Sequence, residues 1–394
     1  VASSAIRDLL RVAERPDVLS LAGGLPDVGL LDPARFRAAA DAASSAPGPN
    51  GPVALQYGPT AGLAALRDPI AERLGVAPDD VVVTSGSQQA VELVARALCA
   101  PGDVVVLQEP AYLGAVQAFR AAGATVVGVP GDAEGIDVDA VTGCLRSGAA
   151  PRAVYVVPDH HNPTGAVMSP GRRQRLLELS AAHGVVLIED AAYRDLHWGP
   201  PTRALLRPGA AVSSPAAQRG DRRERARVVH IGSSSKVLAP GLRIGWLTGP
   251  ADVLDAVVRL KQAADLHTPT WNQLVVAHLL GDGHQPAHLE RLRREYRRRS
   301  HVLHRALDER LGARVRVERA DGGMFLWVTA VDGTDTDALL RRAIRAGVAF
   351  VPGSAFSVDP GAGPASTTAR LSFATLPDER LREAATRLAS VWAP

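Results

Sequence analysis

The sequence predicts an α/β fold, with a mostly parallel seven-stranded sheet sandwiched by helices in a large domain and a smaller α+β domain after it. Three observations predict this. Between residues 81 and 248, seven short β-branched runs alternate with helix-like stretches, the signature of strands joined by crossovers. Most of those runs are apolar throughout rather than alternating, as strands covered on both faces are. Residues 312–394 then alternate strand-like runs with helical ones. The expected division is an N-terminal arm with part of the small domain (1–45), the large domain (46–275) and the small C-terminal domain (276–394).

Taken in order, residues 3–10 form a short helical pattern behind a serine cap. Leu19-Ser20-Leu21-Ala22-Gly23-Gly24-Leu25-Pro26 is an extended segment that turns sharply, where backbone can approach a ligand. A helix over 33–43, a Pro/Gly loop over 47–52 and, after Gln56-Tyr57-Gly58-Pro59, a second helix ending near residue 74 follow. The seven strand candidates are 81–84, 104–108, 125–129, 153–157, 185–189, 228–231 and 244–248. Residues 208–227, rich in Ala, Ser, Gly and Arg, read as a surface insertion. A long helical region covers 272–311, and its arginine run from Arg291 to Arg299 reads as a solvated face.

The chain of 394 residues is long enough for two domains, and its 46% apolar and 22% charged residues are ordinary for a globular enzyme. A formal net charge of +3 gives no support to a nucleic-acid role. Cys99 and Cys144 lack metal-ligand spacing and fit reduced thiols, hence a cytoplasmic protein. No apolar run reaches the length of a membrane span, and Val1 to Leu10 lacks the pattern of a signal peptide. The absence of a starting Met leads us to expect a few residues before Val1.

Only two lysines occur, Lys236 and Lys261, in a chain rich in arginine. Lys236 lies in Gly232-Ser233-Ser234-Ser235-Lys236 behind an apolar strand, with Arg243 seven residues on. A desolvated amine can condense with an aldehyde, which arginine cannot do. The serines and Arg243 offer donors for a phosphate. Aldehyde and phosphate on one ligand suggest pyridoxal 5'-phosphate, although Ser-Ser-Ser-Lys taken alone fits a solvated loop better.

Other candidates fall just beyond strand ends, where ligands bind in such sheets. Ser85-Gly86-Ser87-Gln88 opens a helix whose free N–H groups suit an anion, as many strand-to-helix turns do. Tyr112, after 104–108, can stack on a heteroaromatic ring or simply cover the sheet edge. Asn162, held extended before Pro163, can aim its amide at a ligand oxygen. Asp190 ends a buried strand, where a carboxylate is costly unless paired; a protonated pyridine nitrogen would pair it, and capping the next helix is the alternative. Tyr193 can reach the same ring. Arg370, at the start of a strand, suits an α-carboxylate or a surface ion pair. His160 and His161 sit on one loop and point apart, which speaks against a metal site.

These pieces, in this order, resemble the fold-type I pyridoxal-phosphate aminotransferases of class I/II, in particular the branch of 2-aminoadipate and kynurenine aminotransferases. The matching stretches are S-x-I-R-x-L-L, A-G-G-L-P, L-Q-Y-G-P-T-x-G, S-G-S-Q-Q-A, E-P-x-Y-L-G-A-x-Q-A-F, N-P-T-G, E-D-x-x-Y-R-D-L, G-S-x-S-K, P-G-L-R-I-G-W, K-Q-x-x-D-L-H-T, G-G-M-F-x-W and R-L-S-F. They cover nearly the whole chain.

The resemblance implies that Lys236 forms the internal aldimine and shuttles the substrate proton, with Asp190 on the pyridine nitrogen and Tyr112 stacked on the ring. It implies that Asn162 and Tyr193 bond the ring oxygen, and that Gly86, Ser87, Gln88, Ser233, Ser235 and Arg243 surround the phosphate. Tyr57 arrives from the partner subunit, so a homodimer is implied. Arg370 and Asn162 bind the substrate carboxylate, backbone near Gly24 lines the pocket, and Arg7 hints at a dicarboxylic substrate. Lys261 is then structural.

Three departures stand out: Ala191 where relatives have a second aspartate, Ser234 where an aromatic is common, and the His160-His161 pair. The expected reaction is ping-pong transfer of an amino group from an L-amino acid to a 2-oxo acid, with 2-oxoglutarate as acceptor. Elimination, cyclisation or decarboxylation on the same cofactor is the alternative. A regulatory sensor domain is a further one, but it needs a DNA-binding domain ahead of the fold, and here the family pattern starts by Ser3.

Overall fold

A computed structural model describes residues 15–48, 51–148, 150–200, 202, 226–359 and 366–392. Strand β1 (Leu19–Ser20) is the first regular element among them. The main sheet is built from β2 (Val82–Thr84), β3 (Val104–Glu109), β4 (Thr125–Asp132), β5 (Gly135–Ile136), β6 (Ala153–Val156), β7 (Val186–Asp190), β8 (Arg227–Ser233) and β9 (Gly245–Thr248). Their spatial order is β2-β9-β8-β7-β6-β3-β4-β5.

All seven expected strands are present. The eighth, β5, is a two-residue addition that the sequence reading missed. Asp132 accepts a hydrogen bond from Glu134 N, and Gly135 takes φ +95°, so the chain folds back against β4 in a tight turn.

Side chains along the inner strands divide between two faces. Val105, Leu107, Tyr155, Ile188 and Val229 enter one buried cluster, whereas Val106, Val154, Leu187 and Val228 enter the other. This period of two with both faces covered explains why the strands read as unbroken apolar runs. Strands β3, β4, β6, β7 and β8 pair in parallel, and β9 runs against both β8 and β2. Two reversals return β2 to the common direction. The carboxyl ends of β2, β3, β6, β7 and β8 therefore all open on one edge.

The second sheet is formed by β10 (Val315–Val317), β11 (Phe325–Ala330), β13 (Val351–Pro352) and β14 (Thr368–Ser372), in the order β10-β11-β14-β13. Strand β12 (Val348–Ala349) pairs in parallel with β1 and so ties the early chain to this sheet's surroundings. The helical region expected over 272–311 is two helices, Thr270–Gly281 and Gln285–Leu311. Gly283 at φ +75° and Asp282, whose carboxylate accepts from His284 N, break it, and Pro286 starts the second helix. Arg370 lies at the centre of β14 rather than at its start, opposite Trp327. Among the described residues no helix is long and apolar enough to cross a membrane. Most of the 208–227 segment lies outside the described residues.

Candidate active site

Five chain segments leave the common sheet edge and converge. Beyond β8, Lys236 is largely buried, and its Nζ donates to Gly24 O at 3.0 Å. Burial, helped by the positive Arg370, brings its pKa down to about 8 although Asp190 opposes the shift. A lysine in that range holds a useful share of neutral amine near physiological pH.

At the end of β7, Asp190 is 5% exposed. Its Oδ2 accepts from Tyr155 Oη at 2.7 Å and its Oδ1 from Ala192 N at 3.1 Å. Burial raises its pKa; the Tyr155 hydrogen bond leads the opposing effects. No helix follows to be capped: residues 192–195 form a turn.

Beyond β6, Asn162 donates from Nδ2 to Tyr193 Oη at 3.3 Å and accepts from Arg370 Nη1 at 2.6 Å. Arg370 is 4% exposed, donates through Nη2 to Ala22 O at 2.8 Å, and lies over the rings of Phe325 and Phe356 with centroids 4.2 and 4.9 Å away. Its Nε has no partner, and no carboxylate pairs with it among the described residues. Burial lowers its pKa to about 10. A surface ion pair is therefore excluded, and the arrangement suits an incoming carboxylate.

The anion cradle is equally specific. Gly86, at φ +83°, precedes the helix Ser87–Leu98. A Cβ there would lie 2.4 Å from Arg243 Nη2, so only glycine lets the guanidinium sit against this turn. Arg243 Nη2 donates to Ser85 O at 3.1 Å. Gly245 similarly lets β9 approach, since its Cβ would be 2.5 Å from Ser87 N. Ser233 and Ser235 are buried beside it, with Ser235 N donating to Ser233 Oγ at 3.1 Å. Gln88 bridges Gly114 O and Tyr112 Oη, fixing the phenol that follows β3. Burial raises the Tyr112 pKa to about 12, and that of Tyr193 higher still.

Not every expected residue joins this group. Tyr57 is 78% exposed, edges on His267 at 5.7 Å between ring centroids, and among the described residues no side-chain hydrogen bond ties it to the site. Arg7 lies outside the described residues. The His pair does point apart: His161 Nδ1 meets Thr164 Oγ1 at 2.9 Å, and His160 packs against Gly322, where a Cβ would lie 2.1 Å from its ring. Ser234 is buried and satisfied by Ile244 O. Lys261 is held by Asp265 and by Gln89 Oε1 at 3.1 Å, behind the Ser85 turn, whose N–H donates to the same Gln89 oxygen.

The sequence reading missed Tyr155, the one polar side chain in an aliphatic strand. It also missed the ionic base beneath the site: Asp159 accepts from Arg173 and Arg194, and Arg194 also bonds Glu189, which meets His230 Nδ1 at 2.8 Å. Burial opposes ionisation of Asp159, but Arg194 and Arg173 hold its pKa down to about 2.

A buried amine, a buried carboxylate and a glycine-arginine cradle on the carboxyl edge of this sheet define a fold-type I enzyme dependent on pyridoxal phosphate. The chain belongs to the aminotransferase class I and II family, whose model matches residues 16–388. It is 41% identical over 388 residues to a 2-aminoadipate transaminase of Thermus thermophilus, covering 98% of this chain and 93% of that one. Among solved structures it matches the α-aminoadipate aminotransferase of Thermus thermophilus, complexed with N-(5'-phosphopyridoxyl)-L-leucine, at TM-score 0.86 and 39% identity, over 100% of this chain and 95% of that one. It also matches the kynurenine aminotransferase of Pyrococcus horikoshii at TM-score 0.88 and 34% identity, over 99% and 94%. The chain is a pyridoxal-phosphate-dependent aminotransferase, acting on amino acids and 2-oxo acids.

Proposed function

We propose that this aminotransferase draws the amino group of a dicarboxylic L-amino acid and returns it to 2-oxoglutarate, at a site centred on Lys236. The observation that carries the reading is the Lys236 amine, buried, low in pKa and flanked by Asp190 and Arg370. The residues present fit the cofactor. Asp190 needs a cationic partner, the Gly86–Arg243 cradle suits a phosphate, and Tyr112, Asn162 and Tyr193 surround the space between them.

Bound there, pyridoxal phosphate supplies an electron sink for the pair left when the substrate Cα–H bond breaks. In this reading Lys236 Nζ holds the cofactor, then takes the Cα proton and returns it. Asp190 keeps the ring nitrogen charged. Gly86, Ser87, Gln88, Ser233, Ser235 and Arg243 hold the phosphate, whereas Arg370 and Asn162 grip the α-carboxylate and so fix which Cα bond stands towards the amine. Backbone at Gly24 walls the substrate side, and Arg7, outside the described residues, is the residue this reading assigns to the distal carboxylate.

The reading extends to assembly. Leu55, Tyr57 and Leu266 are exposed large side chains, and Tyr57 packs on the neighbouring His267. That patch supports a homodimer in which Tyr57 serves the partner's phosphate. Two free cysteines suit a cytoplasmic enzyme. The domain division proposed is 1–45, 46–275 and 276–394.

A donor screen with 2-oxoglutarate, followed by cofactor absorbance and glutamate release, tests the reading. 2-Aminoadipate and glutamate should convert the cofactor to its pyridoxamine form, with 2-aminoadipate giving stoichiometric glutamate. Good turnover of aromatic or basic donors alone would remove the dicarboxylic assignment. Product without glutamate would favour elimination or decarboxylation.

A further inference from the structure

We infer that Tyr155 is a positioning residue for the reaction, whose single hydroxyl proton keeps the buried Asp190 an anion and fixes which of its oxygens faces the cofactor. This rests on the reading above that Asp190 partners the ring nitrogen.

Asp190 has two hydrogen bonds of its own: Tyr155 Oη to Oδ2 at 2.7 Å, and Ala192 N to Oδ1 at 3.1 Å. The backbone donor cannot be lost, so among the described residues Tyr155 is the one side chain that sets the carboxylate's state by hydrogen bonding. Tyr193 is also buried nearby and Tyr112 is half-buried, yet their hydroxyls are engaged elsewhere, with Asn162 and with Gln88.

Tyr155 is suited to the task by its place in the sheet. It sits on β6, which pairs in register with β7, the strand carrying Asp190. The ring is 2% exposed and edges on Phe119 at 6.2 Å between centroids, so the hydroxyl has one available direction. Burial pushes the phenol's pKa well up, so it donates at any working pH and never competes as a second anion.

A hydroxyl donor favours the charged form of a carboxylate that burial disfavours. Removing it shifts Asp190 towards its neutral acid. A neutral acid is a poor partner for a ring nitrogen that must stay protonated, so electron withdrawal weakens without any change in substrate contacts. The alternative is that Tyr155 merely fills the core, in which case its ring matters and its hydroxyl does not.

The test is Tyr155→Phe, which keeps the ring, compared with Asp190→Asn and with the double variant, all as holoenzymes. We expect Tyr155→Phe to weaken pyridoxal phosphate binding and to lower kcat about tenfold or more, while KM for the amino acid changes little. The pH midpoint of the cofactor's visible absorbance should shift upward. In the Asp190→Asn background the same change should be silent in affinity, absorbance and kcat. An unshifted midpoint with unchanged affinity in Tyr155→Phe, or equal effects in both backgrounds, would overturn the inference. If Asp190→Asn itself leaves cofactor affinity and absorbance at the wild-type values, the placement of Asp190 fails, and with it the role given to Tyr155. Apo-protein melting separates folding from function: a large drop in Tm with normal cofactor absorbance assigns Tyr155 to the core and also overturns the inference.

Discussion

Arg370 Nη1 donates to Asn162 Oδ1 at 2.6 Å, linking two residues 208 positions apart, one on β14 of the second sheet and the other on the loop leaving β6. The cation is buried, and among the described residues its Nε is unpartnered and its contacts are amide and carbonyl oxygens and aromatic faces. An uncompensated buried charge is costly, and a substrate carboxylate would compensate it. If Arg370 takes the substrate carboxylate as proposed, this linkage couples substrate binding to the relative placement of the two sheets.

Replacing Arg370 with lysine should be far from conservative. The forked donor is lost and Asn162 is released. Truncating a buried, hydrogen-bonded charge costs roughly 2–5 kcal/mol, about 30-fold or more in kcat/KM. The loss should appear for donor and acceptor alike, because both present an α-carboxylate to the same group. Steady-state kinetics in both half-reactions would show this.

Gly86→Ala should damage cofactor binding. It places a methyl 2.4 Å from Arg243 Nη2 at φ +83°, adding strain of roughly 1–3 kcal/mol and displacing the guanidinium. Gly75→Ala is the matched control: Gly75 has φ +70° with nothing within 4 Å of its added Cβ. Both should lower Tm, whereas only Gly86→Ala should weaken pyridoxal phosphate affinity, measured by equilibrium titration of the apo-protein.

Acid should destabilise the protein before most carboxylates titrate. Burial lowers His160 to about 4 and His161 and His230 to about 3, against an ordinary 6.5. Between pH 6.5 and 4 the unfolded chain binds protons that the folded chain does not. Stability is therefore full above 6.5 and falls as pH drops, by up to about 1.4 kcal/mol per pH unit for each such histidine. Urea midpoints across this range check it. His160→Asn, which tolerates the φ of +52° at that position, should flatten the slope by up to one histidine's worth.

How much of this was legible in sequence follows the physics of each residue. Lys236 was visible because lysine is rare here and sits behind a buried strand. Asp190 was visible because a carboxylate closing an apolar run demands a partner. Arg370 was read as a carboxylate binder, but its burial was not foreseeable, since its aromatic neighbours Phe325 and Phe356 come from other segments. Tyr155 was hidden because strand periodicity assigns a side chain to a face and says nothing of a hydroxyl 35 residues from its acceptor. Strand β5 and the break at Asp282 to His284 were hidden for a different reason. Both depend on short glycine turns that interrupt otherwise continuous patterns.

Lys261 should behave as a structural residue. Its amine is bonded to Asp265 and Gln89 and is fully shielded from solvent. Lys261→Met should cost about 1–3 kcal/mol through the groups left behind, several degrees in Tm for a chain of this size. Cofactor absorbance and kcat should stay near wild type. Calorimetry together with an absorbance spectrum decides this.

The most direct measurement is borohydride reduction of the holoenzyme followed by peptide mapping. The account predicts a yellow protein and a single phosphopyridoxyl tag on Lys236, absent from Lys236→Ala. A tag found on Lys261, or a protein that takes up no pyridoxal phosphate, would contradict it.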